Sequence, residues 1–270
     1  MPFLPLLRPR LSLAVAFSAV AGYALAPAPL RMPVLAVVAL GVLLLAGGAS
    51  ALNQVQERRV DALMERTRLR PVASGRLAPG RALALALTLQ GCGLTLLGCG
   101  LTLLGGVSGN PALLAAAALL LYHGIYTPLK PVTPWALLPG ALCGALPLLI
   151  GWTAAGEAPG DFRILLPAGL LVLWQIPHLW LIARRYPGDR QKAGFPEPLP
   201  GAAAPRLTTL WALALAAAAL LLPLFAVITT PAALGVLGLA TVCAVAPRDF
   251  LFQLSMPLFL GALLLGGAGL

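Results

Sequence analysis

The apolar residues of this chain occur in long uninterrupted runs, and the charged residues fall almost entirely between the runs. Ala and Leu dominate, and apolar and polar residues do not alternate with a period of two, which favours helices over the strands of an outer-membrane barrel. A helix needs about 20 apolar residues to cross a bilayer. We therefore predict nine transmembrane helices, at residues 11–28, 32–52, 82–104, 111–129, 134–154, 164–183, 207–228, 231–247 and 250–268.

The composition agrees with an all-α polytopic membrane protein. Of the 270 residues, 60% are hydrophobic and 10% are charged, and the mean hydropathy is +0.93. Soluble domains have about 25% charged residues. These values exclude disordered, collagen-like and disulfide-stapled chains. The net charge is +10, but nearly every window is apolar, so we expect no nucleic-acid partner.

The distribution of Lys and Arg predicts the orientation in the membrane. When the loops are numbered alternately, 16 of the 18 basic residues fall on the side of the N-terminus, and only Arg31 and Arg163 fall on the other. Basic residues mark the cytoplasmic side, so we expect a cytoplasmic N-terminus and a C-terminus on the opposite side. The first run could alternatively be a signal peptide ending at Ala24-Leu25-Ala26, but Pro27 follows directly and favours a membrane span.

Residues 91–97 are repeated without change at 98–104, as Gly-Cys-Gly-Leu-Thr-Leu-Leu. Small residues at this spacing let helices approach closely in lipid, so the repeat is either a packing groove or a local duplication in a low-complexity helix. All four cysteines lie in apolar runs without a histidine at ligand spacing, and we interpret them as packing residues: Cys92, Cys99, Cys143 and Cys243.

The polar segment 53–81 follows the second run without a helix breaker. Asn53, Glu57 and Asp61 are spaced by four residues, which places them on one face of a helix. Oxygen ligands on one face suit Mg²⁺, which takes one or two carboxylates together with substrate phosphate oxygens. Unpaired acids are unfavourable at membrane depth, so this face is a candidate site.

Basic residues follow this face at Arg66, Arg68 and Arg70, before Pro71. Guanidinium groups bind phosphate oxygens through two parallel hydrogen bonds. Carboxylates beside an arginine cluster, at the mouth of an apolar bundle, suit a diphosphate attached to an apolar chain. The alternative is an ordinary cytoplasmic loop with Glu–Arg pairs, and composition alone favours it.

Three other segments on the same side carry candidate residues. Tyr126 and Lys130 are four residues apart at the end of the fourth run, where Lys130 could bind a diphosphate or extend to the interface. His178 lies inside the sixth run, and an ionisable residue in a membrane span suggests function. Charged loop residues then follow at Arg184, Arg185, Asp189 and Lys192, and Arg248-Asp249 begins the last run.

Several motifs together resemble the UbiA superfamily of intramembrane prenyltransferases, in its protoheme IX farnesyltransferase (heme O synthase) branch. The strongest are Asp61-x-x-Met64-x-Arg66-Thr67-x-x-Arg70-Pro71 and Trp174-x-x-Pro177-His178-x-Trp180, the latter followed by Gly194. Weaker similarities, in the same order along the chain, are Leu7–Arg10, Tyr126–Lys130, Gly140–Trp152 and Arg248–Ser255. Because they extend over nearly the whole chain, we expect residues 1–270 to form a single transmembrane domain.

This resemblance implies nine helices around a central cavity, in the inner (cytoplasmic) membrane, with the active-site loops cytoplasmic. It implies transfer of a farnesyl group from farnesyl diphosphate to the vinyl group of protoheme IX (heme B), dependent on Mg²⁺, with heme A synthase as a candidate partner. The implied residues are Asn53, Glu57 and Asp61 for catalysis and metal binding, with Asp189 as a further metal ligand; Arg66, Arg70, Lys130 and Arg184 for the diphosphate; and His178, Tyr126 and Trp174 for the heme pocket.

The chain departs from the pattern of the family at four positions. Glu57 replaces a frequent Asp, Arg59 replaces an acid, Pro131 replaces a second basic residue, and Gly188 precedes Asp189 where an acidic pair is frequent. Two alternatives therefore remain open: a UbiA-type enzyme acting on an aromatic quinone or chlorophyll precursor, and a membrane protein that binds heme without catalysis. A transporter is disfavoured, because no inverted repeat is visible and the polar residues gather on one side.

Overall fold

A computed structural model describes residues 3–105, 110–196, 204–229 and 256–264. Within these residues the chain forms helices and turns, with no strand. We label the seven principal helices α1 (Pro9–Leu25), α2 (Met32–Gln56), α3 (Pro79–Leu103), α4 (Pro111–Leu129), α5 (Pro134–Ala154), α6 (Phe162–Arg185) and α7 (Ala204–Ala219). Short helices cover Phe3–Leu7, Arg58–Asp61, Pro187–Lys192 and Leu221–Leu224, and residues 256–264 are helical.

The described helices agree with the predicted runs up to the seventh. Five of them, α2 to α6, are long and apolar enough to cross a membrane, whereas α1 and α7 are apolar but shorter. The eighth predicted span, 231–247, lies outside the described residues, and so does most of the ninth. The all-α prediction is confirmed for the part of the chain that the structure describes, and the count of nine stays a prediction.

Glycines allow two pairs of helices to approach closely. A Cβ atom added to Gly151 of α5 would lie 1.8 Å from the carbonyl oxygen of Ala19 in α1, and one added to Gly22 would lie 1.9 Å from the carbonyl oxygen of Leu148. Between α2 and α3, a Cβ atom at Gly93 would lie 2.8 Å from the Gly41 oxygen. Apolar contact alone does not drive association in lipid, so close packing of this kind stabilises the bundle.

The repeat in α3 has only a partial role in this packing. Gly93 contacts α2, but Gly91 faces open space, and a Cβ atom at Gly98 would only touch Ala112 at an ordinary 3.6 Å. Cys92 and Cys99 are exposed free cysteines. A π-helical segment, Leu96–Gly100, spans the junction between the two copies. A continuous packing groove along the repeat is therefore not formed.

Pro177 in α6 creates a hydrogen-bonded contact between α6 and α7. Pro177 has no N–H, so the carbonyl of Leu173 lacks its usual helical donor. The indole Nε1 of Trp211 in α7 donates to this carbonyl at 2.7 Å. Trp211 also makes an edge-to-face contact with Trp180, with ring centroids 5.6 Å apart. Pro177 thus leaves the Leu173 carbonyl free to accept the hydrogen bond that joins α6 to α7.

Asp161 directly precedes α6. It lies at the same end of the helix bundle as Arg31 and Arg163. Its carboxylate Oδ1 accepts a hydrogen bond from the backbone N–H of Arg163 at 2.9 Å, and the Arg163 guanidinium binds the same carboxylate. These hydrogen bonds lower the pKa of Asp161. Arg163 also lies 5.5 Å from the ring centroid of the buried Trp152. Asp161 is therefore a helix N-cap.

Candidate active site

A cavity of about 440 Å³ lies between α1, α2, α4, α5 and α6. Its inner walls are apolar and include Val15, Leu45, Ala115 and Ile150, whereas its other end is lined by charged side chains. Five of these are Lys or Arg and three are Asp or Glu, which leaves an excess of two positive charges. The volume is in the range of small-molecule sites, and the lining suits a ligand with an apolar body and an anionic head.

Asn53, Glu57 and Asp61 all line this cavity, although not on one continuous helix. Helix α2 ends at Gln56, and Glu57, with φ −92° and ψ 5°, separates it from the short helix Arg58–Asp61. Asn53 is 3% exposed and Asp61 is fully buried. The prediction of one uninterrupted helix was wrong at this point, but the three side chains still share one cavity wall.

Each of the two acids pairs with a cation from another segment. Arg70 Nη1 donates to both carboxylate oxygens of Asp61, at 2.9 and 2.8 Å, and Lys130 Nζ donates to Glu57 Oε1 at 2.8 Å. Burial raises the pKa of Asp61, and the opposing effect of Arg70 does not cancel the rise. Thr67 supports the Asp61 turn, because its hydroxyl donates to the Asp61 carbonyl at 2.9 Å. Buried acids are thus stabilised by pairing.

The end of α4 brings Tyr126 and Lys130 to the cavity. Lys130 Nζ lies 4.5 Å from the centroid of the Tyr126 ring. The ring packs on α5 at Gly140, where an added Cβ atom would be 2.7 Å from Tyr126 Cε2. A π-helical segment, Leu121–Tyr126, precedes the last turn of α4. Tyr122, which the sequence analysis did not select, lines the same cavity.

Asp189 and Arg66 lie where the segment after α2 meets the segment after α6. The Asp189 carboxylate accepts hydrogen bonds from the backbone N–H groups of Glu65 and Arg66, at 2.8 and 3.1 Å. The Arg66 guanidinium lies 5.6 Å from the ring centroid of Tyr186. Asp189 is 7% exposed, and its observed contacts fasten the loop after α2 to the loop after α6. Its predicted role as a metal ligand stays a prediction.

His178 lines the cavity, and Trp174 lies behind it. The two rings stack at 4.6 Å between centroids with an interplanar angle of 20°. The buried Nδ1 atom of His178 has no hydrogen-bond partner among the described residues. Trp174 is not part of the cavity lining, unlike Gln175, whose Nε2 donates to the Ala141 carbonyl at 3.1 Å. The predicted pocket residue Trp174 therefore acts on the cavity through His178.

Arg8 is a cavity residue that the sequence analysis quoted only as part of a motif. It lines the cavity with Asp61, Arg66 and Arg70, and no carboxylate in the described residues forms an ion pair with it. Its backbone is left-handed, with φ 48° and ψ 62°, which is strained for a residue with a side chain. Burial and then Arg70 lower its pKa. An anion would stabilise this group.

Two parts of the predicted site lie outside the described part of the structure. Arg184 lies in the last turn of α6, but its side chain is outside the described part of the structure. The segment Arg248–Ser255 also lies outside the described residues. The contributions of these residues to the cavity stay predictions.

The oxygen donors of the cavity suit Mg²⁺ together with phosphate oxygens. Among the described residues, no three His, Cys, Asp or Glu side chains form a metal site by themselves. Asn53 adds an amide whose buried nitrogen has no hydrogen-bond partner among the described residues. Two carboxylates and an amide are too few for a closed site. They are the number that Mg²⁺ takes when phosphate oxygens and waters complete its shell.

Comparisons with known proteins identify relatives over most of the chain. The UbiA prenyltransferase family profile matches residues 15–254. The protoheme IX farnesyltransferase of Geobacter sulfurreducens is 49% identical over 227 residues, which are 82% of this chain and 80% of the relative. The protoheme IX farnesyltransferase of Oleidesulfovibrio alaskensis is 42% identical over 255 residues, which are 91% and 86%.

Two solved structures share the fold. A UbiA homologue from Archaeoglobus fulgidus bound to GPP and Mg²⁺ superposes with a TM-score of 0.74 at 15% identity and covers 100% of both chains. The apo structure of a UbiA homologue from Aeropyrum pernix K1 superposes with a TM-score of 0.73 at 20% identity and covers 97% of both chains. At these identities the likeness concerns the fold alone.

Proposed function

Because the chain belongs to the UbiA prenyltransferase family, we propose that it is an integral membrane prenyltransferase with protoheme IX as acceptor. It transfers a farnesyl group from farnesyl diphosphate to a vinyl group of heme B and so makes heme O. The relatives that cover most of this chain carry the name of this activity. The observation in the structure that supports it is the apolar cavity with an excess of positive charge at one end.

The charged end of the cavity suits the diphosphate. Arg66, Arg70 and Lys130 would bind its oxygens, since cationic forks and ammonium groups form short charge-assisted hydrogen bonds with phosphate. Arg8 adds a further cation without an ion-pair partner in the described residues. Arg184, as the sequence predicts, would be a further ligand of the diphosphate. Cations here stabilise the charge that develops on the leaving group, which is the largest electrostatic contribution available to this reaction.

Asn53, Glu57 and Asp61 would hold Mg²⁺ with the bound diphosphate, and Asp189 stays a predicted fourth ligand. The ion, when bound, supplies a Lewis acid that neutralises the leaving diphosphate. Glu57 and Asp61 pair with Lys130 and Arg70. These pairs hold both cations at the charged end of the cavity, where the diphosphate would bind.

The remaining chemistry takes place in the apolar part of the cavity. The bond between farnesyl C1 and the diphosphate oxygen breaks with both electrons on oxygen, and C1 forms a bond to the terminal vinyl carbon of heme. Water then adds to the resulting porphyrin-side cation and loses a proton, which gives the hydroxyethylfarnesyl group. Apolar walls such as Leu45, Ala115 and Ile150 keep water from the allylic cation before the new bond forms.

His178 and Tyr126 lie at the part of the cavity assigned here to heme, with Trp174 behind His178. A neutral imidazole is a good ligand for iron, and the Nδ1 atom of His178 has no partner in the described residues. The stacked Trp174 ring restricts the orientation of the imidazole. His178 would therefore contact heme as an axial ligand or as a partner of a propionate.

The finer topology is also part of the proposal. Residues 1–270 would form one domain with nine transmembrane helices around the cavity, in the inner membrane, with the N-terminus and the active-site loops cytoplasmic. The five spanning helices α2 to α6 and the family membership support this arrangement. Heme A synthase would be a neighbour in the membrane, because it would use the product.

One assay tests the reaction. Membranes containing the full chain are incubated with heme B, farnesyl diphosphate and Mg²⁺, and the extracted hemes are analysed by mass spectrometry. We expect heme O in these membranes and none in membranes with the vector alone. Replacing heme B by an aromatic quinone precursor should give no prenylated product, and the reverse result would exclude the proposed acceptor.

A further inference from the structure

Three polar side chains meet beside the cavity, in a region otherwise formed by apolar helices. His123 Nδ1 lies 2.8 Å from Gln56 Oε1, and Gln56 Nε2 donates to the His123 carbonyl at 3.3 Å. His123 Nε2 lies 3.5 Å from Gln90 Nε2. The three residues belong to α4, α2 and α3, and His123 does not line the cavity. We call the paired contact of His123 with Gln56 the histidine–glutamine clasp.

One protonation state of His123 satisfies all three contacts. With the proton on Nδ1, the imidazole donates to Gln56 Oε1, and Nε2 is free to accept from the amide of Gln90. The Gln56 amide then uses its oxygen as acceptor and its nitrogen as donor to the His123 carbonyl. In this arrangement every contact joins a hydrogen-bond donor to an acceptor. The histidine–glutamine clasp and the Gln90 contact together therefore form a complete polar network around a neutral histidine.

The clasp acts on a π-helical segment, where backbone carbonyls lack their usual α-helical donors. Two of these carbonyls are taken by side chains: the His123 carbonyl by Gln56, and the Tyr122 carbonyl by the Thr127 hydroxyl at 2.8 Å. The backbone N–H of Thr127 also donates to the Tyr122 carbonyl, so the side-chain contacts add to the backbone hydrogen bonds that hold the segment Leu121–Tyr126 in register. The rotation of this segment about the helix axis decides whether the side chains of Tyr122 and Tyr126 face the cavity.

The clasp and the Lys130–Glu57 ion pair join the same two elements. Gln56 directly precedes Glu57, and His123 lies seven residues, about two helical turns, before Lys130. The end of α2 and the end of α4 are therefore connected at two points, one inside the cavity and one outside it. Two points of contact fix both the distance and the rotation between the elements, whereas the ion pair alone fixes only the distance.

We propose that His123 is a positioning residue: through Gln56 it fixes the rotation of the α4 π-helical segment and aims Lys130 at the diphosphate. The proposal rests on the proposed function for its kinetic readout. Because His123 is outside the cavity, it acts through the position of Lys130 and makes no contact with the diphosphate itself.

The test uses the full chain with His123→Ala, Gln56→Ala, the double variant and the conservative His123→Asn. We expect each alanine variant to raise the KM for farnesyl diphosphate about fivefold, as loss of one hydrogen-bonded contact does, with kcat unchanged. The double variant should resemble the single ones, because the two residues form one interaction. His123→Asn retains a donor near the position of Nδ1 and should restore most of the affinity.

Gln90→Ala is the matched control. It removes the long 3.5 Å contact and leaves the contact of His123 with Gln56 in place, so it should leave the KM for farnesyl diphosphate within about twofold of the original. Equal effects of Gln90→Ala and His123→Ala, or additive effects of His123→Ala and Gln56→Ala, would overturn the proposal. So would a His123→Ala variant with an unchanged KM.

A second measurement separates this proposal from the proposed function. Hydrogen–deuterium exchange of residues 121–130 needs no substrate, and it should become faster in His123→Ala and remain unchanged in Gln90→Ala. If the original chain makes no heme O, the proposed function fails while the exchange result still decides about the clasp. Unchanged exchange in His123→Ala would reject the clasp whatever the activity.

Discussion

Arg70 donates through a single nitrogen, Nη1, to both oxygens of the Asp61 carboxylate, at 2.9 and 2.8 Å. The two residues are nine positions apart in a turn-rich segment that returns to the cavity, and Asp61 is fully buried. The second terminal nitrogen of Arg70 is not used by Asp61. Arg70 can therefore bind a phosphate oxygen while Asp61 keeps its partner, and in the proposed function this pair would link metal binding to diphosphate binding.

Asp61→Asn should lower kcat/KM for heme O formation by at least about 100-fold. The variant keeps the shape of the side chain but removes a charged metal ligand and leaves Arg70 without its counter-ion, and each loss affects the transition state. Mg²⁺ titration of the remaining activity should require a higher concentration of the ion. Glu65→Gln is the control, because Glu65 is exposed and pairs only with Arg68. Equal activity of the two variants would contradict the assignment.

Arg8→Ala should raise the KM for farnesyl diphosphate about tenfold, because a charge-assisted phosphate contact is lost. Arg10→Ala serves as the control, since Arg10 is exposed two residues further along the chain and does not line the cavity. The comparison uses initial rates of heme O formation at saturating heme B. If Arg10→Ala has the larger effect, general attraction by surface charge explains the result, and Arg8 is not a ligand.

His178→Ala should weaken binding of heme B about tenfold, measured from the Soret band of the purified protein during a heme titration. The reason is the loss of an imidazole ligand, or of a propionate contact, in an apolar cavity. A shift of the Soret maximum in the variant would identify the axial role. His123→Asn is the matched histidine control and should bind heme normally. An unaltered titration for His178→Ala would assign the residue to helix packing.

Gly151→Ala should destabilise the bundle by about 1–3 kcal/mol, the usual effect of overpacking, because the new Cβ atom would lie 1.8 Å from the Ala19 carbonyl oxygen. The control is Gly169→Ala in α6, where nothing lies within 4 Å of the added atom. There the higher helix propensity of Ala should raise stability slightly. Thermal unfolding in detergent measures both, and a lower melting temperature for Gly169→Ala than for Gly151→Ala would contradict the packing argument.

Asp161→Ala should destabilise the protein by about 1 kcal/mol at pH 7, as loss of an N-cap does. The pKa of Asp161 is lower in the folded state because Arg163 donates hydrogen bonds to the carboxylate. Its contribution is therefore complete above the unfolded pKa and is lost as the pH falls through the folded value. The difference in melting temperature between the two proteins should shrink in that acidic range. Glu157→Gln, which removes only a 4.0 Å ion pair, should show a smaller difference.

The fold was largely predictable, because each helix is encoded in a local run of apolar residues. The run 32–52 became Met32–Gln56, and the run 82–104 became Pro79–Leu103. The end of α2 was predictable only in part. No proline or glycine marks the break at Glu57, which coincides with its ion pair to Lys130, 73 residues away along the chain. Local periodicity carries no information about such a distant contact.

The residues of the candidate site were predicted with uneven success. The spacing of Asn53, Glu57 and Asp61 predicted one shared face, and all three side chains line the cavity, because two helical segments keep nearly the same face across the break. Trp174 was assigned to the cavity, but it supports His178 from behind. His123 was overlooked, although an ionisable residue in an apolar run is itself a signal of function. Its partners Gln56 and Gln90 come from two other helices, so only the structure reveals their meeting.

The repeat in α3 records an insertion that the bundle was able to absorb. Seven residues are almost two full turns, so an added copy rotates the following residues by only about 20°. The same local hydrogen bond occurs in both copies, from Thr95 to the Gly91 carbonyl and from Thr102 to the Gly98 carbonyl, each at 2.9 Å. A π-helical segment, Leu96–Gly100, lies at the junction of the two copies. A tandem duplication of 21 bases in the gene would therefore lengthen this helix while turning its following face by only about 20°.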